Sequence, residues 1–203
     1  MKKKRHFLAI VMCACIIMTC KSTALALNLD LLTYGHRMTG GISNVYIYID
    51  DKGSPRATYW QNLIKTAVNN WMYTGVGAND FYCLGYVSSG TSGSKIDFYA
   101  RNSNWWLNNT NVLGATYYYD YNIRSVNQRS SDWYSARIDF NDTRLREDVY
   151  SNDDAIFVFI HEMGHAFGLN HNPDKNSIMY EALWPCNVRR VQKVDNDVLN
   201  CIY

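Results

Sequence analysis

His161-Glu162-Met163-Gly164-His165-Ala166-Phe167-Gly168-Leu169-Asn170-His171 is the stretch on which the reading of this chain turns. Positions i and i+4 of a helix share a face. His161 and His165 therefore aim two imidazoles at one ion, and Glu162, one residue along, is free to reach a water activated there. Gly168 is where the helix must stop if a third ligand is to return, because glycine enters left-handed backbone angles cheaply. His171 then arrives from outside the helix. Three protein ligands leave an open coordination position, the pattern of a catalytic zinc site rather than a closed structural one. The chain holds five histidines, and three of them fall in this one stretch.

The chemistry follows from those residue types. A zinc ion lowers the pKa of a bound water and polarises a carbonyl. Glu162 is placed to take the water's proton and pass it to a leaving amine. A zinc site that only staples the fold would need a fourth ligand and would have no use for Glu162.

Outward from this stretch the chain resembles the metzincins, whose long histidine motif is followed by a methionine turn. Ser177-Ile178-Met179-Tyr180 is similar to that turn, which places Met179 beneath the zinc histidines. Tyr180 directly follows Met179, and the next position is Glu181, a pattern most similar to the matrixins. The resemblance implies an α+β zincin-like domain: a twisted, mostly parallel sheet with an antiparallel edge strand, an active-site helix and a C-terminal helix. It implies a zinc-dependent endopeptidase. Val112-Leu113-Gly114-Ala115-Thr116-Tyr117 resembles the edge strand that lines the cleft and pairs with extended substrate, which assigns Leu113, Gly114, Ala115 and Tyr180 to the cleft. By the same resemblance Phe157, one turn before His161, would border the pocket for the side chain after the scissile bond, where a bulky ring would make it shallow; the apolar run around it, Ile156 and Val158 to Ile160, suits a core role equally. Asp139, Asn141 and Asp142 resemble the oxygen-rich loop that binds calcium in that family. The histidines of a second, structural zinc site are missing, as is a pro-segment long enough for a cysteine switch. The resemblance thus covers a minimal catalytic unit, residues 27–203.

The N-terminus reads as an export signal. Lys2, Lys3, Lys4 and Arg5 precede the apolar run Phe7 to Thr19, and Ala24-Leu25-Ala26 is a small-x-small cleavage site. The expectation is removal of residues 1–26 and release. A retained anchor and lipidation of Cys20 are the alternatives, and Thr19 suits the latter poorly. The whole chain carries 20 Lys+Arg and 18 Asp+Glu; residues 1–26 hold five of the basic and none of the acidic residues, leaving 15 − 18 = −3. The basic balance is thus an export signal and not a nucleic-acid footprint. A monomer acting on a protein or peptide is expected, without nucleic acid and without stable membrane insertion.

Hydrophobic residues make up 47% and charged residues 19%, so the chain is globular rather than disordered. Sixteen Tyr and six Trp suit packing first, and also a surface that meets another polymer. Cys83, Cys186 and Cys201 follow the signal; an odd number allows one bridge at most, with Cys186–Cys201 the nearest pair. Alternation predicts strands at 44–50, 95–100, 112–119 and 136–140. Helical spacing predicts helices at 57–73, 155–167 and 191–202. The competing reading, a non-catalytic binding module on this scaffold, would need loss of Glu162 or a ligand, and neither is lost. A hydrolase aimed at one partner shares the same residues.

Overall fold

Alternating apolar residues in Val45–Ile49 and Ile96–Arg101, and a buried run in Ser135–Asn141, build the inner strands of the protein. A computed structural model describes residues 28–90, 93–107 and 111–203. The proposed export signal, residues 1–26, lies outside the described residues. After a single turn α1 (Leu29–Leu32), the chain runs β1 (Val45–Ile49), α2 (Ala57–Met72), β2 (Cys83–Val87), β3 (Ile96–Arg101), β4 (Gly114–Tyr119), β5 (Ser125–Val126), β6 (Ser135–Asn141), α3 (Asn152–Phe167) and α4 (Lys193–Ile202). The sheet order is β2-β1-β3-β6-β4-β5. The first four strands in that order run parallel, and β4 and β5 turn antiparallel at the edge. This is the mixed sheet with an antiparallel edge that the metzincin resemblance implies.

One face of the sheet is covered and the other is open. Ile96, Phe98, Ala136, Ile138 and Phe140 point inward, where Phe159 of α3 meets Phe98 and Phe140 edge-on. Trp60, Ile64, Ala67, Val68 and Trp71 give α2 its buried stripe at helical spacing. Buried indoles need partners. Trp60 donates to Asp142 at 2.6 Å, Trp71 to the Ile160 carbonyl at 2.9 Å and Trp133 to the Ala166 carbonyl at 3.0 Å. The last two hold the backbone of α3 on either side of the histidines.

Helix α3 begins earlier than the apolar run alone indicates. Ser151 caps it, its hydroxyl accepting from the Asp154 amide while the Asp154 carboxylate accepts from the Ser151 amide. Strand β2 lacks the alternation that marks the other strands, because Gly85 interrupts it and only Cys83 is fully buried. The Cys186–Cys201 bridge does not form. Cys83, Cys186 and Cys201, the three cysteines among the described residues, are free thiols, with Cys186 buried against backbone carbonyls of Lys175 and Ser177 and Cys201 exposed on α4. No helix among the described residues is long and apolar enough to cross a membrane.

Candidate active site

Helix α3 is buried along nearly its whole length, and it carries His161, Glu162 and His165 at its C-terminal end. Gly168 closes the helix at φ 107°. A side chain there would also lie 2.9 Å from the His36 carbonyl oxygen, so both conformation and space demand glycine. The chain reverses and delivers His171. One nitrogen from each of His161, His165 and His171 lies within 4.8 Å of the others. Among the described residues these are the sole trio of His, Cys, Asp or Glu side chains so placed.

Hydrogen bonds fix which nitrogens face inward. His161 donates from Nδ1 to the Ile178 carbonyl at 2.9 Å, and His165 from Nδ1 to the Leu169 carbonyl at 2.9 Å. Their Nε2 lone pairs are left for a cation, and the two Nε2 atoms of His165 and His171 approach to 3.2 Å. Burial disfavours the charged imidazolium, pushing His161 down to about 4 and His165 well below its usual value. His171, exposed at the rim, is lowered chiefly by desolvation, with Glu181 opposing. Three neutral imidazoles with free lone pairs fit a zinc ion.

Glu162 is held from the edge strand. The Thr116 hydroxyl lies 2.8 Å from a Glu162 carboxylate oxygen and 3.0 Å from the Glu162 carbonyl. Gly114 permits this approach, since a side chain there would meet Glu162 Cγ at 2.8 Å. Burial raises the Glu162 carboxyl to about 7, partly offset by Thr116, and a nearby cation would draw it back toward the carboxylate.

Met179 lies fully buried against α3, and Gly164 is where it fits: a Cβ on Gly164 would collide with the Met179 sulfur. The turn is anchored from α4. Asp195 accepts from the Ser177 hydroxyl, from the Ile178 amide at 3.0 Å and from the Gln192 amide at 2.9 Å. The carbonyl of the same Ile178 holds His161. Asp195 does more than cap α4, the role its position in the sequence indicates.

A cavity of about 330 Å³ opens beside Glu162 and His161, lined by Leu113, Gly114, Phe157, Val158 and Leu183. The Phe157 ring stacks on His161 at 5.8 Å, with Arg189 over the ring at 5.3 Å. Phe157 is thus core and pocket wall at once. Tyr180 lies instead in an adjoining cavity of about 610 Å³, with His171, Glu181, Arg129 and Leu31. Ala115 lines neither cavity: it follows Gly114 and precedes Thr116, which face α3, so alternation turns its side chain to the open face.

The residues likened to a calcium loop are otherwise engaged, and calcium gains no support. Asp139 is buried between Arg101 at 3.0 Å and Arg137 at 3.3 Å. Asp142 accepts from Ser54, Trp60 and Arg146, and Asn141 from the Arg144 amide. Cations and donors from the protein itself occupy the oxygens a hard ion would need.

Tyr34, Thr116 and Asp195 escaped the sequence reading as parts of the site. Tyr34 places its phenol oxygen 2.8 Å from His165 Nδ1. Its segment is pinned to the turn after α3, through Tyr34 amide to Gly168 carbonyl at 3.0 Å and Asn170 amide to Leu32 carbonyl at 2.8 Å.

A helix carrying two histidines and a glutamate, a third histidine beyond a glycine turn, and a buried methionine packed on that helix are the arrangement of the metzincin class. Residues 60–203 match the family model described as Matrixin. The chain belongs to the matrixin family. A solved structure titled "Structure of myroilysin" is similar, with a TM-score of 0.41 and 18% identity, over 69% of this chain and 54% of that one. The chain thus spans about half the length of that protein, covering 54% of it. No curated protein matches.

Proposed function

We propose that this chain is an exported endopeptidase that cleaves extracellular proteins or peptides, with Glu162 as general base. The observation that carries the reading is the convergence of His161, His165 and His171 within 4.8 Å, with Glu162 on the same helix. His161, His165 and His171 would hold the zinc ion, which when bound supplies Lewis acidity to the scissile carbonyl and its attacking water. Glu162 takes the proton of that water and delivers it to the departing amine. Thr116 holds the carboxylate at the edge strand, and the buried helix around it excludes bulk water. The outer edge of β4 from Gly114 to Tyr117 has no strand partner among the described residues, since β5 pairs only with Tyr118 and Tyr119. Its free N–H and C=O groups suit an extended substrate backbone. The neighbouring side chain would enter the cavity beside Glu162, where Leu113, Phe157, Val158 and Leu183 favour aliphatic residues of modest size.

The test uses the full chain expressed in a secreting host, with Glu162→Gln beside it. The expected result is a secreted protein lacking residues 1–26 that binds one zinc and cleaves a fluorogenic peptide pool. Chelator should abolish cleavage, and the variant should bind zinc without cleaving. Zinc at full occupancy with no cleavage of any peptide would point to one narrow substrate. Failure to bind zinc would defeat the reading.

A further inference from the structure

The open face of the sheet, opposite α3, carries aromatic side chains that the zinc site does not use. Tyr48, Asp97, Tyr99, Tyr119 and Arg137 alternate with the buried residues of their strands. At one end Asp97, Tyr99, Tyr119 and Arg137 enclose a cavity of about 400 Å³, completed by Tyr121, Ile123 and Tyr134 and sharing no residue with the cleft. Tyr121 and Tyr134 meet edge-on at 5.0 Å, forming one wall. The size suits one or two small rings.

Two features set this cavity apart from ordinary surface. First, the β4–β5 turn holds exposed apolar groups at its rim, with Tyr121 75% and Ile123 65% exposed. Ile123 stands at φ 63°, a left-handed conformation unusual for a β-branched residue. Asp120 enforces it, its carboxylate accepting from the Asn122 and Arg124 amides at 2.9 Å each. A glycine would fit the turn more easily and would not present a side chain.

Second, the polar groups are balanced in charge. Asp97 and Asp120 face the cavity together with Arg137, and Arg124 pairs with Asp120 at 2.8 Å. Asp97 is held by the Ser94 hydroxyl. An anionic ligand meets two carboxylates, and a cationic one meets the Arg137 guanidinium. A neutral ring with apolar C–H faces and several hydroxyls avoids both conflicts. Its faces lie on tyrosine rings, and its hydroxyls both donate to carboxylates and accept from guanidinium.

We propose that this cavity binds a neutral sugar ring of the hexose or N-acetylhexosamine type, making the open sheet face a glycan-binding exosite. Such a ring occurs in a free polysaccharide and in the glycan of a glycoprotein alike. The proposal does not rest on the protease reading, because its readout is binding.

The probes are an array of neutral and sialylated oligosaccharides, and one glycoprotein before and after enzymatic deglycosylation. The proteins are the parent, Tyr121→Ala and Ile123→Gly, with the thermal transition as the folding control. The parent should bind neutral oligosaccharides, and each variant should lose about tenfold in affinity, the scale of one lost ring contact. Loss of glycoprotein binding after deglycosylation would locate the sugar on protein, whereas binding to free polysaccharide alone would locate it in a matrix; both support the site. Ile123→Gly should fold at least as well as the parent, so its loss of binding is not misfolding. The proposal is overturned if neutral sugars do not bind, if only sialylated ones do, or if both variants bind like the parent.

Discussion

The phenol oxygen of Tyr34 lies 2.8 Å from Nδ1 of His165, across 131 positions of sequence. With Nε2 turned to the metal, Nδ1 is the protonated nitrogen, and Tyr34 and the Leu169 carbonyl both accept from it. Outer partners of this kind orient a ligand, and their loss costs about 10–100-fold in metal affinity. Tyr34→Phe keeps the ring and removes the oxygen. Since Leu169 remains, the expected loss of zinc affinity is near the low end, about tenfold. Competition against a chromophoric chelator measures it, and unchanged affinity would reduce Tyr34 to packing.

Thr116 touches the proposed base directly. Thr116→Val preserves a β-branched shape in β4 while removing the hydroxyl 2.8 Å from the Glu162 carboxylate. A less constrained base should lower kcat about tenfold, with KM nearly unchanged, because small errors in placement are costly. Steady-state kinetics on one peptide separates the two. A rise in KM alone would assign Thr116 to substrate contact instead.

Gly164 sets two effects against each other. Helix propensity alone makes Gly→Ala stabilising by about 1 kcal/mol in a helix interior. The new methyl would, however, collide with the Met179 sulfur. Overpacking in a buried site costs about 1–3 kcal/mol. Gly164→Ala should therefore be destabilised in denaturant titration, and the larger volume should also displace Met179 from its seat on α3. A stabilised variant would mean that the methionine turn yields easily.

Asp97 gives a pH signature remote from the zinc site. Burial raises its carboxyl from 3.8 to about 7, against the lowering influence of Ser94 and Arg137. The folded state thus holds this proton more tightly than the unfolded state. The stability this contributes is present below the unfolded pKa and is lost as pH rises through the folded value. Asp97→Asn has no such loss. Its melting temperature relative to the parent should climb between about pH 4 and pH 7. A constant difference across that window would show that Asp97 ionises normally.

What the sequence made legible is local. His161, Glu162, His165, Gly168 and His171 lie within three helical turns and a bend, so spacing alone carries their geometry. Met179 follows closely enough to be read with them. Thr116 and Tyr34 reach the site through sheet register and a chain reversal, contacts 46 and 131 positions apart that no periodicity encodes. Asp195 reads as a helix cap because it is one, and its second bond to the methionine turn appears only when α4 is packed. The acidic group at the end of β6 misled for a related reason: oxygens suggest an ion until Arg101 and Arg137 are seen to fill that role.

The open edge of β4 carries a liability as well as a use. A row of unpaired amides from Gly114 to Tyr117 accepts any extended chain, including the same strand of another copy. The β5 hairpin closes off Tyr118 and Tyr119, which keeps the exposed row short. Lengthening it by deleting that hairpin would invite edge-to-edge stacking of whole molecules, so β5 is best understood as a guard against self-aggregation.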